Sequence, residues 1–159
     1  MRVLVTGCDG FTGRHLKREL EVNGHVVIGL TANLNDYDAI AVEVKQAQPE
    51  AVIHLAGVAF VAQDRADEFY RVNLLGTHNL LSSLAEHVAD VDAVLLASSA
   101  NVYGNRSEGV LSESAVPDPV NDYAVSKLAM ENMARLWMDR LPLFFVRPFN
   151  YTGVGQDNK

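Results

Sequence analysis

Five short apolar runs recur along the chain, at Val3–Thr6, Val26–Leu30, Ala51–Ala56, Ala93–Ser98 and Leu143–Val146. They are rich in Val, Ile, Leu and Phe and do not alternate with polar positions, the pattern of strands buried on both faces. Between them lie helix-like segments at about 11–23, 36–48, 64–88 and 121–140. Strand alternating with helix predicts an α/β fold, a Rossmann-like doubly wound parallel sheet. Pro49, Pro142 and Pro148 fall at element boundaries, where a missing N–H does least harm. In the third helix, Phe69, Val72, Leu75 and Leu80 form the apolar face. Asn73 and Gly76 are unfavourable inside a helix, and close packing beside a polar site would account for both. The connection from Gly104 to Val120 is long for a compact domain, as functional loops are.

Length and composition narrow the picture. The 159 residues fit one domain, and 48% hydrophobic residues supply a core. The net charge of -7, with no basic cluster, argues against nucleic acid and anionic membrane surfaces as partners. Cys8 is the single cysteine, so neither an internal disulfide nor a thiolate zinc site is available, and it reads as a small space-filler. No apolar stretch reaches membrane-spanning length, and the first apolar run is too short for a signal peptide. The expectation is a cytoplasmic protein without a metal.

The first strand runs into Thr6-Gly7-Cys8-Asp9-Gly10-Phe11-Thr12-Gly13. Glycines between a strand and a helix suit a dinucleotide. Gly7 makes the tight turn, Gly10 lets backbone approach a pyrophosphate at the helix N-terminus, and Gly13 permits close packing of helix on strand. An acid that would hold an adenosine ribose is missing at the end of the second strand, where Thr31-Ala32-Asn33 follow and Asp36 reads as a helix cap. Arg14 and Thr31 are candidates to accept a 2′-phosphate, which leaves NAD and NADP open. Ala56 and Gly57, small residues at a strand end, leave room for cofactor, and His54 reads as a packed histidine. The fourth strand delivers the hydroxyls of Ser98 and Ser99 to the same edge. Tyr123 precedes Lys127 by four residues, one helical turn on one face, where an ammonium favours the phenolate and makes the pair a tunable acid/base. Arg147 and Asn150 lie after the last strand, where they could meet substrate; Arg147 fits a structural ion pair equally well.

Together and in this order, Thr6–Gly13, His54–Gly57, Asn73-x-x-Gly76-Thr77, Ser98-Ser99…Tyr103-Gly104, Tyr123-x-x-x-Lys127 and Arg147-Pro148-Phe149-Asn150 resemble the extended short-chain dehydrogenase/reductases. These are the NAD-dependent epimerase/dehydratase family, which acts on nucleotide sugars. Arg147–Gln156 and the short segment between the second and third strands look most like the GDP-4-keto-6-deoxymannose reductase branch. The resemblance implies catalytic Ser99, Tyr123 and Lys127, with Ser98 the weaker candidate, and substrate contacts from Ser99 and Asn150. It implies NAD or NADP held by Gly7, Gly10, Phe11, Gly13, Arg14, Thr31, Asn33, Leu55, Ala56, Gly57 and Asn73, together with Tyr123 and Lys127. It also implies a homodimer for the full-length protein.

Two departures from the family matter. Dehydratases place acids after the catalytic hydroxyl, and here Ala100 and Asn101 stand there, which favours a reductase or an epimerase. Family members also continue into a substrate domain, so residues 1–159 read as the NAD(P)-binding domain alone, with apolar surface exposed where the rest would pack. The alternative is a truncated, non-catalytic dinucleotide-binding module that senses redox state or binds a partner.

Overall fold

The computed structural model describes residues 1–59, 65–105 and 109–156. The predicted helix start at residue 64 and part of the long connection fall outside them. Five strands form one parallel sheet: β1 (Arg2–Thr6), β2 (Val26–Leu30), β3 (Ala51–His54), β4 (Ala93–Ala97) and β5 (Leu143–Val146). Their order is β2-β1-β3-β4-β5, so the winding reverses between β1 and β3. In open sheets of this kind ligands sit beyond the carboxyl ends of the strands at that reversal.

β3 stops two residues short of the apolar run that predicts it. Leu55 N–H still donates to the Thr6 carbonyl, but Ala56 N–H donates to the Thr6 hydroxyl at 3.0 Å, and there the backbone leaves the ladder.

Helices cover the two faces unequally. Side chains alternate along β2, so Ile28 and Leu30 join the main core while Gly29 faces Cys8 in the turn before α1 (Phe11–Val22). On the core side pack α2 (Tyr37–Ala47), α4 (Thr77–His87) and α5 (Asp122–Ala134), through Ile40, Val44, Leu80, Leu84 and Met130. Asp36 caps α2 as expected, its Oδ1 accepting Ala39 N–H at 3.0 Å. Asn121 does the same for α5, at 2.9 Å from Ala124 N. Near the open end of the sheet, Phe144 and Val146 of β5 and the following Phe149 remain exposed.

The third predicted helix is three pieces: α3 (Asp67–Phe69), a π-helical turn (Tyr70–Gly76), and α4. The wider turn rotates the face that follows it. Leu75, expected in the core, is therefore 57% exposed, and Leu74 packs inward in its place. Asn73 is buried on the inner side, and a Cβ at Gly76 would lie 2.7 Å from Leu34 Cβ, so the helix is pressed close at this point.

Arg147 is a structural ion-pair partner. Its Nε and Nη2 donate to the two oxygens of Glu131 at 2.8 and 2.6 Å, and Nη1 donates to the Tyr103 hydroxyl at 2.7 Å. Glu131 is fully buried. Burial works to raise its carboxyl, and the hydrogen bonds and charge of Arg147 outweigh this, holding it below the usual value of 4.5. The contribution is complete above 4.5 and is lost as pH falls from there through the lower folded value. The pair fastens α5 to the end of β5. Arg147→Met would strand the Glu131 carboxylate, and we expect a loss of about 3 kcal/mol at pH 7, read from the urea midpoint.

Candidate active site

The glycine turn is shaped by two close approaches. Gly7 has φ of +71°, and a Cβ there would stand 2.9 Å from Ala56 N. A Cβ at Gly13 would stand 2.1 Å from the Gly7 carbonyl oxygen, which excludes every side chain. Together they bring the start of α1 against the end of β3. Gly10 is the N-cap residue in extended conformation, and no side chain caps the helix. The first amides of α1 are thus presented at the carboxyl edge of the sheet, a favourable setting for an anion.

A cleft of ≈ 660 Å³ opens there. Its lining brings together Phe11, Leu55, Gly57, Ser99, Tyr123, Lys127 and Asn150, all singled out from sequence. Ser98 lines it as well.

Lys127 forms part of the floor and is 6% exposed. Its ammonium donates to the Ala97 carbonyl at 2.9 Å, and burial pulls its pKa down to about 8. Gly57 is where Lys127 is admitted: a Cβ would lie 3.0 Å from Nζ and 2.9 Å from Asn73 Oδ1. The small residue expected to make room for cofactor makes room for these two side chains. Asn73 itself lies behind the cleft. Its Oδ1 accepts Val58 N–H at 2.9 Å, and its Nδ2 donates to the Val58 carbonyl and to Ser126 Oγ, both at 3.0 Å. Ser126 in turn donates to the Tyr123 carbonyl at 2.7 Å.

The hydrogen bonds around His54 have a definite direction. Thr77 Oγ1 donates to the Asn73 carbonyl at 2.7 Å, so His54 Nε2 must donate to Thr77, at 2.9 Å. At the other nitrogen, Thr6 Oγ1, which also accepts Ala56 N–H, lies 2.6 Å from His54 Nδ1 and donates to it, because Nε2 carries the only proton of the neutral ring. The ring is a neutral Nε2–H tautomer. Burial, and then the charge of Lys127, hold its pKa down to about 3.

Ser99 caps a 3-10 turn (Ala100–Tyr103), its Oγ accepting Asn101 N–H at 3.2 Å, which leaves the hydroxyl proton free to point into the cleft. The Tyr123 ring is tilted on Phe69 with centroids 6.0 Å apart, and its hydroxyl has no hydrogen-bond partner among the described residues.

Other candidates are engaged elsewhere. Arg14 donates to the carbonyls of Asp9 and Gly155, and Asn33 Oδ1 accepts Asn35 N–H. Thr31 gives both of its donors to Glu43, a residue with no signal in the sequence pattern. Sequence reasoning also missed a strap after β5. Tyr151 hydroxyl meets Thr12 Oγ1 at 2.6 Å and its ring stacks on Phe11, while His15 meets the Val154 carbonyl at 3.0 Å. Phe11 had drawn notice as a cofactor residue, but Tyr151 follows the last strand outside any strand or helix pattern, so nothing in the sequence joined it to the start of α1.

Fold and cleft together are those of a doubly wound α/β protein with a glycine turn and a cleft at the carboxyl edge of its sheet. Residues 3–159 match the model of the NAD dependent epimerase/dehydratase family, and the chain belongs to that family. It is 37% identical to a GDP-6-deoxy-D-talose 4-dehydrogenase of Aggregatibacter actinomycetemcomitans, over 99% of this chain and 55% of the relative. Among solved structures it resembles RMD from Pseudomonas aeruginosa complexed with NADPH, at 33% identity and a TM-score of 0.86, over 99% of this chain and 57% of the other. The UDP-glucose 4-epimerase of Thermus thermophilus in complex with NAD is 28% identical with a TM-score of 0.84, over 92% of this chain and 54% of the other. The chain thus spans about half the length of the proteins it matches. Among the described residues there is no cluster suited to a metal ion and no helix long and apolar enough to cross a membrane.

Both buried bases set a pH signature. Lys127, with a folded pKa near 8 against an ordinary 10.5, opposes folding while charged, so its penalty is complete below pH 8 and lifts as pH rises toward 10.5. Lys127→Met is expected to raise stability at pH 7 by about 2–3 kcal/mol, with the gain vanishing near pH 10.5, in urea titrations at the two pH values. His54 acts at the other end. The unfolded chain takes up its proton near 6.5 and the folded one near 3, so stability falls across that window as pH drops. His54→Gln should flatten that slope.

Proposed function

We propose that this chain is the cofactor-binding half of a nucleotide-sugar oxidoreductase, a reductase or epimerase rather than a dehydratase. The observation that carries the reading is the convergence of Ser99, Tyr123 and Lys127 on one cleft, with Phe11 and Thr12 of the glycine turn in the same lining. The residues present fit NAD or NADP. The amides at the start of α1 would face the pyrophosphate, and Phe11, Leu55 and Gly57 would border the dinucleotide. Lys127, which spends one bond on the Ala97 carbonyl, keeps donors for the nicotinamide-ribose hydroxyls.

The nicotinamide ring supplies the acceptor or donor of a hydride at a sugar carbon. The Tyr123 phenol moves the matching proton to or from the sugar oxygen, and the Lys127 ammonium one turn away favours charge on that phenol. Ser99 donates a hydrogen bond to the same oxygen. Asn150, on the cleft rim, contacts the nucleotide sugar. Ala100 and Asn101 offer no base for removing a proton beside a keto group, which is why dehydration is set aside. The names of the relatives make GDP-linked 6-deoxy sugars the first substrates to try.

A second reading is a dinucleotide-binding module without catalysis, for which the glycine turn and the cleft would serve binding alone. The two separate on one experiment with the full-length protein. We expect turnover of a nucleotide sugar that falls by about 10²–10⁴ in Tyr123→Phe while cofactor binding persists, measured by product formation and by calorimetry. Net consumption of reduced cofactor marks a reductase, and product without consumption marks an epimerase. Wild-type turnover in Tyr123→Phe would sink the mechanism, and cofactor binding without any turnover would favour the second reading.

A further inference from the structure

The end of β2 offers no acid of its own, yet the structure brings one there. Glu43, in the second turn of α2, places both carboxylate oxygens on Thr31. One accepts the Thr31 N–H at 2.8 Å and the other accepts the Thr31 hydroxyl at 2.5 Å. β2 is an edge strand and its ladder with β1 ends at Leu30, so the Thr31 amide has no strand to bond, and the side chain supplies the partner. Among the described residues Glu43 forms no ion pair with any Lys or Arg, so its charge is not neutralised locally.

This arrangement changes what Thr31 can offer a ligand. A hydroxyl has one proton, and here Glu43 holds it. What remains on Thr31 Oγ1 is an acceptor, able to take a hydrogen bond from a ribose hydroxyl. A phosphate dianion has no proton to give and needs donors, and it would meet instead a spent hydroxyl backed by a carboxylate. The other candidate donor, Arg14, is turned to the Asp9 and Gly155 carbonyls. In sheets of this class the end of β2 is where the adenosine ribose is read.

We propose that Glu43, acting through Thr31, selects a cofactor with a free ribose 2′-hydroxyl and rejects the 2′-phosphorylated form. The role rests on the dinucleotide reading above. Glu43 stands here as a specificity residue supplied by α2 in place of the missing strand-end acid.

The test is titration of the full-length protein with NADH and with NADPH, following ligand fluorescence. Wild type should bind NADH tighter by roughly tenfold or more at low salt, a preference that narrows as ionic strength rises. Glu43→Gln keeps the shape and removes the charge, and Glu43→Ala frees the Thr31 donors altogether. Both should shift the affinity ratio toward NADPH by roughly five- to tenfold, an effect of the size of one uncompensated charge near a surface site. A wild-type preference for NADPH, or a ratio unmoved in both variants, overturns the proposal. Binding of neither nucleotide would overturn the dinucleotide reading itself and the proposal with it, an outcome distinct from the other two.

Discussion

A neutral imidazole inside the sheet governs how the cleft is assembled. His54 joins the end of β1, through Thr6, to the π-helical turn, through Thr77 and the Asn73 carbonyl. Each hydroxyl in that chain has its proton committed, so the ring has room for one donor and one acceptor and no more. Thr6 also bends the exit of β3 by taking the Ala56 amide. From that exit follow Gly57, which admits Lys127, and Val58, which Asn73 holds on both its amide and its carbonyl. Half-satisfied buried polar networks are costly, whereas one with every member paired fixes a single arrangement. Two faces of the buried lysine's surroundings are thereby set by a residue that never reaches the cleft.

The lysine has a related logic. Its ammonium is held by one carbonyl and, among the described residues, pairs with no acid, so the site carries a cation that burial destabilises. Such strain is tolerated where surrounding packing leaves no alternative, and here Gly57, Asn73 and α5 leave none. The Arg147–Glu131 pair, one turn further along α5, anchors the same helix from behind.

What could be read from sequence was local. Five apolar runs located all five strands, and the Asp36 cap and the glycine turn follow from the chemistry of neighbouring residues. The strand order is a tertiary outcome and had no signature of its own. Leu75 was misplaced because helical periodicity assumes a uniform turn, and the π-helical stretch breaks it to bury Asn73. Gly57 and Arg147 were noticed for the right positions, but their neighbours, Lys127 and Glu131, come from α5, far along the chain. Glu43 was invisible because its meaning lies in an unpaired amide 12 residues away at a sheet edge.

The strap after β5 bears on timing. It fastens residues 139 to 141 positions apart through hydrogen bonds that are all solvent-exposed. Bonds of that kind contribute about 1 kcal/mol each, and exposed loop segments rearrange in roughly nanoseconds to microseconds. The strap is therefore the least firmly held part of the cleft rim, in contrast to the floor, where Lys127 and Asn73 are buried.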